Sequence, residues 1–227
     1  MTVAASLALW LLAAAPVEQA PPQPPIYAMR DQVRRVAFDP STYFDDPQFD
    51  LIHIAYHGDD YDWPYYAIAI RRNCDHGTEE GCEVRFQARR VKVPVEPGER
   101  PRKSGSRFVH KVMQNAEGSA DLRPVLDQAG LMWEETDLKA CPNAIKVLAK
   151  ASGLEWVRKT TVAPVKGDEI RIALHADKIT VAFNEYLQEA TYYGALHEGT
   201  PAAWANTLAQ TLEPCWKPAT APPPWRK

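Results

Sequence analysis

A period-two alternation of apolar and polar residues between Leu51 and Val93 restricts the fold of this chain more than any other feature of its sequence. In residues 51–57 and 65–72 every second residue is apolar or aromatic, which is the pattern of a strand with one buried face. The residues that share this face are Ile52, Ile54, Tyr56, Tyr66, Ile68 and Ile70. In residues 83–93 the alternation changes phase near Arg89 and Arg90, which predicts a β-bulge. We therefore predict a three-stranded meander from Leu51 to Val93.

Helical patterns occupy much of the chain after the meander. Asp121 predicts the cap of a short helix over Leu122–Ala129, and Pro142 begins a second pattern that Gly153 ends. A final helix is predicted to open at Thr200-Pro201, with apolar residues at helical spacing. Residues 94–111 are rich in Pro, Gly and charge, and they predict a long exposed loop.

Strand patterns return between the second and the final helix. Alternation predicts strands at Ile170–Leu174 and Ile179–Phe183, joined as a second hairpin, and a further strand in the latter part of residues 185–196. The order of the elements predicts an α+β fold: a mostly antiparallel sheet, made of the meander and the second hairpin, with two or three short helices.

The N-terminal segment indicates export. Residues Val3–Ala15 carry no charge, and this run is short for a membrane span but has the usual length of a signal-peptide core. We expect residues 1–20 to be a signal peptide; an uncleaved anchor and a buried helix are the alternatives, because no basic residue precedes the run and Pro16 and Pro21 follow the obvious cleavage points. A periplasmic or secreted protein follows, with no transmembrane span in the mature chain.

Proline placement suggests the domain boundaries. Many of the 20 prolines lie in residues 16–25 and 214–224, which we expect to be extended tails that cannot pack on a core. The predicted organisation is a signal peptide (residues 1–20), a Pro-rich segment (21–48), one α+β domain (49–213) and a Pro-rich tail (214–227).

Four cysteines agree with an oxidising compartment. We expect two disulfides, Cys74–Cys82 across a short polar loop and Cys141–Cys215 across a long one, although four cysteines allow three pairings. A zinc site is the competing interpretation, and it lacks both a C-x-x-C pair and suitably spaced histidines. No metal or cofactor is predicted.

Basic residues form the candidate anion-binding site. Arg100, Arg102, Lys103 and Arg107 lie in the predicted loop, where they would attract an anionic envelope group; the alternative is a solvated loop. The formal net charge of the chain is −3, so no overall positive field attracts nucleic acid.

An acidic turn follows the first predicted strand and supplies the only acid–base candidate. His57 is followed by Asp59, Asp60 and Asp62, residue types that bind calcium or transfer protons, but that are also common in ordinary turns. No nucleophile motif accompanies them, so no residue is assigned a catalytic role.

Aromatic residues are frequent around the predicted strands, in Tyr61, Trp63, Tyr65, Tyr66, Tyr192 and Tyr193. Aromatic side chains beside polar loops are typical of protein or glycan recognition, as well as of core packing. The sequence thus favours an exported, disulfide-bonded protein of the cell envelope with a non-enzymatic role, binding an envelope protein or a glycan. The alternative is a hydrolase with an acid–base site near His57 and Asp59 or Asp62.

Overall fold

A computed structural model describes residues 25–46, 50–58, 61–75, 83–116, 121–154, 177–185 and 188–227. Five α-helices are found among them: α1 (Pro25–Ala37), α2 (Pro101–Asn115), α3 (Arg123–Gln128), α4 (Pro142–Leu148) and α5 (Pro201–Leu212). The strands are β1 (Asp50–Gly58), β2 (Trp63–Asp75), β3 (Glu83–Lys92), β4 (Met132–Asp137), β5 (Lys178–Glu185), β6 (Gln188–Ala195) and β7 (Lys217–Pro218). Short 3-10 turns lie at Pro40–Thr42, Leu138–Ala140, Ala151–Gly153, Glu213–Cys215 and Pro224–Arg226.

The seven strands form one antiparallel sheet in the order β6-β5-β1-β2-β3-β4-β7. The α+β class and the meander β1–β2–β3 are confirmed. Ile54 pairs with Ile68 and Tyr56 with Tyr66, so the residues that alternate in the sequence do share a face. The strand predicted at Ile170–Leu174 lies outside the described residues. The strands predicted at Ile179–Phe183 and in residues 185–196 correspond to β5 and β6, which pair with each other as a hairpin.

Both faces of the central strands are covered. Ala67, Ile68, Ala69 and Ile70 are consecutive and all fully buried, which requires packing partners above and below the sheet. Helix α5 lies against β5 and β6 on the face of Tyr56, whose hydroxyl approaches Asn206 of α5. Helices α1 and α2 pack on each other and against β2. The result is a sheet between helical layers, with one continuous hydrophobic core.

The predicted loop over residues 94–111 is wrong for most of its length, because α2 begins at Pro101. Proline is tolerated in a first helical turn, and the apolar positions that anchor the helix come only later, at Phe108, Val109 and Val112. Ser104 and Gly105, in the first two turns of the helix, are also buried. These small residues suggested a loop, but in the structure they allow the helix to pack closely on the sheet.

The β-bulge predicted at Arg89 and Arg90 is also wrong. β3 pairs without interruption with β2 and with β4 through both residues. Both arginines are buried, one on each face of a strand that is covered on both sides, so apolar alternation is lost without a change of register. Register shifts occur instead in β1, between Asp50 and Ile52 and between Tyr56 and His57.

The C-terminal proline-rich segment belongs to the fold, so the expectation that residues 214–224 form an extended tail that cannot pack is wrong. Near the other end, α1 lies within the predicted Pro-rich segment (21–48), for which no helix was predicted, and it buries Val33 and Ala37. At the C-terminal end β7 pairs with β4, and Trp225 is 4% exposed with its indole N–H donated to Asp127 at 2.8 Å. Apolar residues near the prolines pack on the core and hold these segments against it, which the high proline content did not suggest.

The long-range disulfide is confirmed. Cys141 and Cys215 are joined, with their Cα atoms 6.1 Å apart, and the bond links the start of α4 to the turn after α5. Cys82 lies outside the described residues, so Cys74–Cys82 stays a prediction. Within the described part of the chain, every helix is too short or too polar to cross a membrane.

Candidate functional site

Polar side chains gather at the end of the sheet where β1 ends, β2 begins and β5 begins. His57 pairs with Lys178 of β5 on one side and with Pro64 of β2 on the other. The first turn of α2 reaches the same place, since a Cβ on Gly58 would collide with the carbonyl oxygen of Arg102. Two candidate sites lie here, on opposite faces of the sheet.

The first site is a cavity of about 270 Å³, which we call the tyrosine cavity. Tyr56 of β1 and Tyr65 and Tyr66 of β2 form its aromatic wall. Asn206 and Gln210 of α5 face it from the other side, because residues four apart lie on the same side of a helix. The remaining polar wall consists of Lys92, Asp177 and Glu213.

The three tyrosines form a fixed cluster. The ring of Tyr56 lies 5.7 Å from that of Tyr65 and 5.0 Å from that of Tyr66, in edge-on and tilted arrangements that aromatic pairs favour. Burial raises the pKa of all three hydroxyls, so each remains a protonated donor at neutral pH. The Tyr56 hydroxyl lies 3.4 Å from Asn206 Oδ1, a long contact that a ligand group can replace.

A buried arginine holds part of the cavity wall in place. Arg90 is 3% exposed and donates to Glu134 and to Glu213, each at 2.7 Å. It also donates to the Tyr66 hydroxyl at 3.2 Å, and its guanidinium lies 4.6 Å from the Trp216 ring centre. Charge-assisted bonds and the aromatic contact therefore fix Glu213 and Tyr66 at the cavity.

The residues predicted to bind anions lie on the first two turns of α2, beside this cavity. Arg107 is committed to local partners: it bonds to Glu99 at 3.0 and 2.9 Å, to the carbonyl of Pro94, and to Glu96. Arg100 and Lys103 are exposed, and Pro101 between them lines the cavity. The charge of Arg102 opposes the rise that burial causes in the pKa of Tyr65, so this turn lies at the cavity mouth. The four residues are thus brought together, but they differ in their surroundings: Arg100 and Lys103 face solvent, whereas Arg107 is bound to Glu96 and Glu99.

The second site, on the opposite face, is the His57 cluster: Arg34, His57, Asp62, Lys178, Thr180 and Tyr193. His57 is 8% exposed, and its Nε2 lies 2.8 Å from Thr180 Oγ1. Its Nδ1 is buried, and no described residue forms a hydrogen bond with it. Burial, and next the charge of Arg34, lower the pKa of His57 to about 4. The imidazole is therefore neutral at neutral pH.

Asp62 is held away from a simple His–Asp pairing. It has a positive φ of 55°, which is strained for a residue with a Cβ, and its Oδ1 accepts from Lys178 Nζ and from the Tyr193 hydroxyl, both at 3.2 Å. Two arginines of α1 hold the turn, since Arg30 donates to the carbonyl of Tyr61 and Arg34 to the carbonyl of Asp62, both at 2.6 Å. Asp59 and Asp60, the other acidic residues of the predicted site, lie outside the described residues.

Sequence reasoning missed three features, two of them at these sites and one at the other end of β1. Asn206 and Gln210 carry a usable signal, because their spacing places two carboxamides on one side of the helix. The buried pair of Asp50 and His53, 2.8 Å apart, carries none: three residues apart on a regular strand they would face opposite ways, and the register shift after Asp50 brings them together. Arg34 lies in the Pro-rich segment (21–48), for which the sequence predicted no helix.

No family model, curated protein or solved structure matches the chain. The sites are therefore interpreted from their own chemistry. Among the residues that the structure describes, no group of three or more histidine, cysteine or acidic side chains is placed to hold a metal ion.

Proposed function

We propose that this chain is an exported, disulfide-bonded binding protein of the cell envelope, and that its ligand is a sugar unit of an envelope glycan held in the tyrosine cavity. The observation that carries the proposal is the composition of that cavity: three tyrosine rings on one wall face carboxamides and charged groups on the other. This combination offers apolar faces for the C–H side of a sugar ring and hydrogen-bonding groups for its hydroxyls.

The size of the cavity agrees with a small ligand. Ligand pockets span roughly 300–1,000 Å³ and are mostly apolar with a few placed polar groups. At about 270 Å³ the tyrosine cavity lies at the small end, which suits one sugar unit rather than a peptide. Exposed Arg100 and Lys103 at its mouth favour an acidic sugar or one next to an anionic group.

Export is supported by two independent features. The uncharged run Val3–Ala15 has the length of a signal-peptide core, and the Cys141–Cys215 bond belongs to the class of long-range disulfides that persist in oxidising compartments. An N-terminal mass that begins after Ala20 in the recovered protein supports export, and retention of Met1 on a protein found in the cytosol refutes it.

Calorimetric titration tests the ligand. Protein recovered after expression of the full-length chain, with its disulfides intact, is titrated with neutral and acidic monosaccharides and with short envelope oligosaccharides. We expect Asn206→Ala and Gln210→Ala each to weaken binding of the accepted sugar about threefold to tenfold, the effect of one lost hydrogen bond. Thr207→Ala on the exposed side of the same helix is the matched control, because its hydroxyl bonds only to the carbonyl of Ala203.

Two results contradict the glycan proposal. One is the absence of heat with every sugar; the other is equal affinity in the wild-type protein and the two cavity variants. A third result, loss of affinity in Thr207→Ala as well as in the cavity variants, indicates a general loss of α5 packing. It would contradict the assignment of the ligand to the tyrosine cavity.

A hydrolase at His57 and Asp62 is the second candidate, and it depends on one observation: a buried imidazole with an unpartnered nitrogen beside a strained aspartate. A pKa of about 4 makes His57 a weak base at neutral pH, and Asp62 already accepts from Lys178 and Tyr193. Recovery of the bound sugar unchanged favours the binding protein. Turnover that disappears in His57→Gln favours the enzyme.

A further inference from the structure

Two buried polar atoms of the His57 cluster, contributed by different elements, have no hydrogen-bond partner among the residues that the structure describes. They are Nδ1 of His57 on β1 and Nε of Arg34 on α1. Buried polar groups are nearly always hydrogen-bonded, and each exception calls for a physical cause. Contacts place the two exceptions in one cluster. Arg34 donates to the carbonyl of Asp62, the carboxylate of Asp62 accepts from the Tyr193 hydroxyl, and the Tyr193 ring lies 5.8 Å from the His57 ring.

We propose that the His57 cluster is a binding site for an oxyanion, a phosphate, sulfate or carboxylate group, that accepts hydrogen bonds from Arg34 Nε–H and His57 Nδ1–H. The Arg34 guanidinium nitrogen is always a donor. His57 becomes a second donor when the Thr180 hydroxyl, 2.8 Å from Nε2, donates to that nitrogen and leaves the ring proton on Nδ1. An oxyanion is the acceptor that satisfies both donors at once.

The charges around the cluster favour an anion. Arg30 is paired with Asp31 at 2.7 Å, and Lys178 with Asp62 at 3.2 Å, so two carboxylates balance two of the cations. Arg34 is left with one long contact, 3.7 Å from Asp31, and a backbone carbonyl. The charged groups that act on His57 are Arg30 and Arg34 of α1, Asp62 of the β1–β2 turn and Lys178 of β5, and the Tyr193 ring of β6 lies against the imidazole. Asp31 joins this set through its pairing with Arg30. The described groups thus carry one more positive than negative charge.

The cluster borders solvent and is separate from the tyrosine cavity. Tyr193 is 52% exposed, and the side chains of Arg34 and Lys178 are about one third exposed, at 33% and 37%. Thr180 pairs with Ala55 and with Tyr193, so these residues share the face of His57. Tyr56, in the wall of the tyrosine cavity, points from the opposite face. The oxyanion site therefore does not depend on the glycan proposal.

Inorganic phosphate is the first probe, and the readout is the titration of the His57 imidazole by NMR. Binding of an anion favours the imidazolium form, so we expect phosphate to raise the pKa of His57 by about one unit. Sulfate and acetate, tested in the same way, distinguish a tetrahedral from a planar oxyanion. Chloride at equal ionic strength controls for screening. An unchanged His57 pKa with all three oxyanions overturns the proposal and leaves a buried water as the partner of both donors.

A matched pair of variants locates the site. We expect Arg34→Lys, which keeps the charge and removes Nε–H, to weaken phosphate binding about tenfold, the loss of one charge-assisted hydrogen bond. Arg35→Lys is the control, because Arg35 is exposed and lies next in the same helix. Binding is followed as the rise of the melting temperature with phosphate at pH 7, and the wild-type titration stands if a variant fails to fold. Equal phosphate dependence in both variants places the anion elsewhere and overturns the proposal.

Discussion

Removal of the Cys141–Cys215 disulfide is expected to be among the most destabilising changes available in this chain. The bond closes a loop of 74 residues that contains α4, β5, β6 and α5. In the loop-entropy model a cross-link of this length restricts the unfolded chain by about 4.5 kcal/mol at 25 °C. Contacts between α4 and α5, including the Trp204 indole bond to the carbonyl of Val147, remain in the folded state without it. The loss therefore acts mainly through the unfolded chain.

The magnitude is large beside the stability of a domain. Domains unfold with about 5–15 kcal/mol, and in a chain of this size each kcal/mol shifts the melting temperature by roughly 2–4 °C. We expect the variant Cys141→Ala/Cys215→Ala to melt about 9–18 °C below the wild type. Guanidinium unfolding followed by tryptophan fluorescence measures the free energy directly.

A second cysteine pair provides the comparison. Cys74 and Cys82 are eight residues apart, and the same model gives about 2.5 kcal/mol for a bond between them. The loop-length argument requires Cys141→Ala/Cys215→Ala to cost about 2 kcal/mol more than Cys74→Ala/Cys82→Ala. Equal costs, or the reverse order, would refute it and indicate that local packing rather than chain entropy determines the contribution of each bond.

Two further predictions concern the end of β1. The folded pKa of His57, about 4, lies below the ordinary value of about 6.5 in an unfolded chain, so the unfolded state binds more protons between these values. The free energy of unfolding is therefore expected to fall by up to about 3 kcal/mol as the pH drops from 6.5 to 4. In His57→Asn this pH dependence, measured from the midpoints of denaturant unfolding, should be lost; a variant with the same pH dependence as the wild type would assign it to other groups. Gly58→Ala is expected to cost about 1–3 kcal/mol because its Cβ meets the backbone of Arg102, whereas Gly153→Ala, with open space around it, should be neutral in the same assay; equal midpoints would contradict the close packing of α2 on β1.

Local patterns determined a large part of the fold. β1 and β2 were predictable because their large apolar residues alternate along each strand, and α3, α4 and α5 because a proline lies in the first turn of each. The pairing of Cys141 with Cys215 was also predictable, since the short polar loop between Cys74 and Cys82 suggested that those two pair with each other. In each case the signal lies within one helix or strand, or in the number and spacing of the cysteines.

Elements that carry charged or small residues at buried positions were not predictable in the same way. β3 carries buried arginines on both faces, and their burial depends on partners distant in the chain, Glu134 and Glu213 for Arg90 and the carbonyl of Tyr43 for Arg89. α2 similarly depends on a sheet that accepts Gly105 at close range. The sequence shows arginines and a glycine at these positions. Only the packed structure shows the acceptors that bind the buried arginines and the strand that packs against the glycine.

The candidate sites divide in the same way. The sequence by itself determined that aromatic residues and a His–Asp turn lie at the ends of strands, and that the cysteines suit an oxidising compartment. Only the tertiary structure decided that Tyr56 and Tyr66 face Asn206 across a cavity, and that Arg34 lies beside His57. The reason is physical: strand and helix periods fix which side chains share a face, whereas the neighbour across the core is fixed by packing between separate elements, which for Tyr56 and Asn206 are 150 residues apart.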